Sequence, residues 1–139
     1  MLDTNVLSEL LRAQPAAAVL AWFAARPPEQ LFVSAVTQAE MLLGARLLAP
    51  GKRRQQLQGA LDAMFRDDFG ARVLAFDSAA ALVYADLVAG RRGAGRPISQ
   101  FDAQIAAIAL SRDAGVATRN VADFQGCGLV VTNPWEPDV

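Results

Sequence analysis

The chain has 139 residues, 53% of them hydrophobic, with 13 Lys+Arg against 14 Asp+Glu for a formal charge of −1. That length suits one domain over residues 1–139 whose core needs no staples, and the apolar content is too high for disorder. There is no histidine and a single cysteine, Cys127, which excludes imidazole chemistry, the usual zinc sites and an internal disulfide.

Taken in order, Met1-Leu2 reads as a short strand that delivers Asp3 to its carboxyl end; a central strand so brief points to a slightly clipped start. Thr4 or Asn5 can cap a helix in which Val6, Leu7, Leu10 and Leu11 recur at helical spacing. Pro15 opens a second helix through Arg26, ended by Pro27-Pro28. Leu31-Phe32-Val33 reads as a buried parallel strand, and Ser34 or Thr37 then caps a helix to about Leu48, stopped by Pro50-Gly51. A helix is expected over Lys52 to Phe69, a third strand at Val73 to Phe76, and a long helix capped by Asp77 or Ser78 through Ala89. Gly90 to Gly95 reads as a loop. Pro97 and Ser99 open a helix to Arg112, followed by a strand at Gly115 to Ala117, a turn or short helix at Val121 to Phe124, and a last strand at Leu129 to Val131. Short apolar strands alternating with helices mean a parallel sheet covered on both faces.

No apolar run reaches membrane-spanning length and no basic, apolar leader opens the chain, so a cytoplasmic protein with no membrane role is expected. A net charge near zero carries no bulk signal for nucleic acid.

Four carboxylates stand out. Asp3 falls where open α/β sheets bind ligands, at a strand's carboxyl end beside a helix start, although it can equally serve as a cap. Glu40 has Val36, Leu43 and Leu47 as its helical neighbours, so it reads as lying on a core-facing stripe. A buried charge there must be neutral, paired (an arginine would do) or turned toward a polar cleft. Gly44, one turn on, costs about 1 kcal/mol relative to alanine, which close approach of another backbone would explain. Asp102 has a capping-box-like spacing from Ser99 but shares a face with Ile105, Ala106 and Ala109. Asp123, after the fourth strand, is also an ordinary turn former.

Taken together, Asp3-Thr4-Asn5, Ala39-Glu40 with Gly44, Asp102-x-x-Ile105-Ala106 and Ala117-Thr118-Arg119-Asn120-x-x-Asp123-Phe124 resemble a PIN-domain ribonuclease. The likeness is closest to VapC-type toxins of toxin–antitoxin pairs, in the FitB-like group, and Gly95 to Ile98 and Val131 to Trp135 share it. The resemblance implies a three-layer α/β/α, Rossmann-like sandwich with a parallel five-stranded sheet ordered 3-2-1-4-5, which brings Asp3 and the Asp123 turn to the switch point. It carries the family's four acidic positions onto Asp3, Glu40, Asp102 and Asp123, a hydroxyl position onto Thr118 and a supporting polar position onto Asn5. It further implies RNA as substrate, a small DNA-binding antitoxin as partner, and a homodimer.

The residues argue for the same chemistry on their own. Crowded carboxylates stay ionised together only if a cation joins them, and an all-oxygen set suits Mg²⁺ or Mn²⁺. A magnesium-dependent phosphodiester hydrolase is therefore expected. Arg91, Arg92, Arg96 and Arg119 are candidate RNA contacts, each more readily read as a solvated or structural charge. Trp22 and Trp135 read as packing residues. Two rivals stay open. A phosphotransfer fold would use Asp3 as nucleophile, but a dehalogenase-like motif wants an aspartate at Asn5 and a downstream lysine, and Lys52 is the chain's sole lysine. A non-catalytic interaction module could use the same fold.

Overall fold

Every strand of the sheet is two residues long: β1 (Val33–Ser34), β2 (Val73–Leu74), β3 (Val116–Ala117) and β4 (Val131–Thr132). These are the strands among the described residues, 1–136, of the computed structural model. β1 pairs with β2 in parallel, Val33 opposite Val73, and β3 with β4 in parallel, Val116 opposite Val131. Leu2 forms parallel bridges to both Val33 and Ala117, joining the two ladders around the start of the chain. Its N–H donates to Phe32 O at 2.7 Å, and the Asp3 N–H donates to Ala117 O at 2.9 Å.

Alternation along these strands feeds two cores, as a pleat covered on both faces requires. Leu2, Val33 and Ala117 pack with Val6, Leu7, Val19, Met41, Leu61 and Phe65, from α1 (Thr4–Leu10), α2 (Ala17–Ala24), α3 (Ala35–Arg46), α4 (Lys52–Ala63) and a π-helical turn, Met64–Phe69. Met1, Leu74 and Val116 pack instead with Ala80, Ile105, Ile108 and Phe124, from α5 (Ser78–Gly93), α6 (Gln100–Ser111) and the four-residue α7 (Val121–Phe124). Helices therefore cover both faces of a parallel sheet, which gives the chain its α/β character.

Several elements differ from the sequence reading for physical reasons. The Lys52 to Phe69 helix leaves α geometry at Met64, which lets Met64, Phe65 and Phe69 all stay buried. Arg72 locks the following 3-10 turn (Gly70–Arg72) by donating to the carbonyls of Pro28, Leu31 and Asp68. α5 runs through Gly90 to Gly93, so the expected loop shrinks to a turn around Gly95, whose φ is +70°. The strand at Leu129 to Val131 moves to Val131–Thr132. On α3 the buried residues are Thr37, Met41 and Ala45; of the stripe around Glu40 only Val36 packs against a core, while Leu43 and Leu47 are 57% and 76% exposed, so Glu40 sits at the edge of the core-facing side. Gly44 approaches no backbone: an added Cβ would meet nothing within 4 Å. Among the described residues no helix is long and apolar enough to cross a membrane.

Candidate active site

Asp3 leaves the Leu2 bridge 6% exposed and is itself the N-cap of α1, the capping role open to it in the sequence, rather than Thr4 or Asn5. Its Oδ1 accepts from the Thr4 N–H at 2.8 Å, and its Oδ2 accepts from the Thr118 hydroxyl at 2.8 Å and the Asn5 amide at 3.4 Å. Three donors satisfy the buried charge, as burial demands. Thr118 follows β3 directly and is fully buried; its hydroxyl also accepts from the Asn5 amide at 3.2 Å and the Asn120 N–H at 3.0 Å. Asn5 closes the ring by accepting from the Arg119 N–H at 3.2 Å.

Glu40 projects from α3, which Ser34 caps by accepting from the Thr37 N–H at 3.0 Å, and a Thr4–Thr37 hydroxyl contact of 3.2 Å ties α1 to α3. Asp102 stands in the first turn of α6, capped by Ser99, whose Oγ accepts from the Asp102 N–H at 3.2 Å. With Asp3, both line one open cleft of about 540 Å³, shared with Asn5, Arg119 and Asn120. Burial raises the Glu40 carboxyl above its ordinary value, and the charges of Asp3 and Asp102 raise it further against a hydrogen bond from Thr4. Burial likewise raises Asp102; the Ser99 hydrogen bond opposes this, and the Asp3 and Asp123 charges reinforce it. These are the shifts of carboxyls that repel one another in a partly dehydrated site.

Asp123 is exposed on α7 and does not line the cleft, although its charge reaches Asp102. Among the candidate RNA contacts, the structure brings only Arg119 to the carboxylates. Arg91 donates to the carbonyls of Arg96 and Gln125, and with Arg96 lines a separate small pocket; Arg92 is exposed at the end of α5. Lys52 opens α4 away from the cleft, so no lysine stands near Asp3 as a phosphotransfer site would want. The sequence reading missed Ser8, Glu9, Arg12 and Phe101, which line the cleft; Trp135, read as a packing residue, packs against the first core and lines the cleft as well. Ser8, Glu9 and Arg12 follow Asn5 at i+3, i+4 and i+7, a helical spacing that carries the signal. Glu9, 6% exposed, accepts from Arg12 at 3.3 Å and from the Ala16 N–H at 3.1 Å, which fixes the α1–α2 turn.

Among the described residues, no three His, Cys, Asp or Glu side chains stand close enough to hold one metal ion directly. The donor set is nevertheless all oxygen, and Mg²⁺ retains several waters when bound by one or two carboxylates. Asp3, Glu40 and Asp102 therefore fit a hydrated divalent ion, and their mutual repulsion favours one.

Residues 1–125 match the PIN domain family. The chain is 44% identical to the VapC ribonuclease Y4jK of Sinorhizobium fredii over 99% of its own length and 98% of that protein's. It is 38% identical to Toxin FitB of Neisseria gonorrhoeae over 97% of each. Among solved structures it is similar to FitAB bound to the IR36 DNA fragment, with a TM-score of 0.93 at 38% identity, covering 99% of this chain and 96% of that one. With this fold and these relatives, the chain belongs to the PIN-domain family, in the group of the VapC and FitB toxins.

Proposed function

We propose that this protein is a divalent-cation-dependent endoribonuclease, the toxin of a toxin–antitoxin pair. The observation that carries the proposal is the meeting of Asp3, Glu40 and Asp102, from three separate elements, in one cleft. Asp3, held by three donors, is the fixed ligand of the set. Glu40 and Asp102 are only partly buried and adjust around it, and Asp123 acts at longer range through its charge on Asp102. When bound, Mg²⁺ (or Mn²⁺) supplies charge neutralisation at the scissile phosphate and a more acidic water. Thr118 and Asn5 hold Asp3 in orientation, and Arg119 brings a guanidinium into the same cleft, within reach of the RNA.

A small DNA-binding antitoxin as partner is supported by the likeness to FitAB solved with DNA. A homodimer belongs to the same reading. So does the five-stranded sheet of order 3-2-1-4-5: the bridges of Leu2 to Val33 and Ala117 support Leu2 as its central strand.

The test is end-group analysis of a cleaved single-stranded RNA, with and without EDTA. The expected products carry 5′-phosphates, with water as nucleophile, because the common form of the 2′-hydroxyl route uses imidazole acid–base pairs and this chain has no histidine. Asp3→Asn, Glu40→Gln and Asp102→Asn should each abolish cleavage, whereas Asp123→Asn should only weaken it. Cyclic-phosphate ends, or cutting that survives both the chelator and Asp3→Asn, would remove the mechanism.

A further inference from the structure

The cleft holds three flat groups that the acid chemistry does not use. Phe101 immediately precedes Asp102 in the first turn of α6 and is 56% exposed, although the rest of that helix buries Ala103 and Ile105 to Ala109. Trp135 lines the same cleft, and the Arg119 guanidinium lies 5.0 Å from its ring centre. The Arg119 backbone is tethered through Asn5 to Asp3, so this stack is held in register with the carboxylate. Electrostatics narrows what can rest here. Four carboxyls (Asp3, Glu9, Glu40, Asp102) and two guanidiniums (Arg12, Arg119) line the cleft, and Arg12 is already paired with Glu9. A phosphate backbone gains little from that balance, whereas the faces of bases stack on aromatic rings and arginine planes whatever the net charge. Bases present their faces only when they are unpaired.

We infer that Phe101 and the Trp135–Arg119 stack form the platform on which unpaired bases beside the scissile bond rest, so that the cleft selects single-stranded RNA by stacking. This deepens the ribonuclease reading and rests on it.

Fluorescence anisotropy tests it, using the full chain carrying Glu40→Gln to stop cleavage and a fluorescein-labelled single-stranded RNA in Mg²⁺. The intact strand is compared with strands carrying one abasic ribose at successive positions around the bond that the wild-type chain cuts. Phe101→Ala should weaken binding of the intact strand about five- to a hundredfold, and Phe101→Tyr should restore it. An abasic ribose at the stacking position should erase the difference between parent and Phe101→Ala. Trp135→Leu should show the same pattern at a different position. Phe101→Ala binding like its parent, or losing equal affinity for intact and abasic strands, overturns the platform. The ribonuclease reading is scored separately, by whether the wild-type chain cuts the intact strand; a chain that cuts no RNA removes both.

Discussion

The Thr118 hydroxyl donates to Asp3 and accepts from Asn5 and Asn120, with no exposure to water. Thr118→Val keeps the shape but leaves the buried Asp3 carboxylate short of a donor and the Asn5 amide and Asn120 N–H short of an acceptor. The expected loss is about 2 kcal/mol, a fall in Tm of roughly 5 °C, with Thr118→Ser close to wild type. Thermal melting followed by circular dichroism checks it. The same contacts separate the acids from one another. Asp3 is built into the fold as a cap and hydrogen-bond acceptor, so its removal perturbs structure as well as charge, whereas Glu40 and Asp102 are freer to change. At this scale Asp3 was legible by type and position, whereas Asn5 and Thr118 were legible only through the family resemblance. The place of Phe101 and Trp135 in the cleft was not, because an aromatic beside a carboxylate looks the same in sequence whether it packs inward or lines a cleft.

Two glycines give opposite expectations at the scale of elements. A Cβ on Gly115 would lie 2.8 Å from the Val130 carbonyl oxygen, where β3 and β4 come together. Gly115→Ala must push backbone aside and should cost about 1–3 kcal/mol. Gly44, exposed within α3 with open space around its Cα, should gain about 0.5–1 kcal/mol on changing to alanine. Urea titrations of the two variants should move the midpoint in opposite directions. Helix type and order were readable from apolar spacing and from the caps Ser34, Asp77 and Ser99. Strand limits were not, because the apolar runs around them extend past the pairing, as at Leu31-Phe32 before β1 and Ala75-Phe76 after β2. The turn to π geometry at Met64 reflects tertiary burial, which no local propensity announces.

For the whole molecule, carboxyl crowding becomes a dependence of stability on pH. Glu40 and Asp102 hold their protons more tightly when folded than when unfolded. The folded state therefore binds more protons between the ordinary carboxyl values near 4 and the raised ones, and stability falls as pH rises through that window. Above it the penalty is fully present at neutral pH, and a cation that binds only the folded site offsets it. Melting at pH 7 and low ionic strength should shift upward with saturating Mg²⁺ or Mn²⁺, less so in Asp102→Asn. A Tm indifferent to either ion would count against the site. The α/β alternation was legible from the pattern of apolar runs. That Asp3, Glu40 and Asp102 share a cleft was legible through the family resemblance; that Ser8, Glu9, Arg12 and Phe101 join them was not, since that depends on how α1, α3 and α6 are brought together around the sheet.

The contact between Asp3 and Thr118 spans 115 positions of sequence. Synthesis therefore delivers Asp3 long before the hydroxyl partner that orients it. Until β3 has emerged, Leu2 lacks its bridge to Ala117 and Asp3 has neither the Thr118 hydroxyl nor the Ala117 carbonyl to hold it in place. A ribosome making this chain thus carries an unassembled cleft until Thr118 has been made and has emerged to meet Asp3.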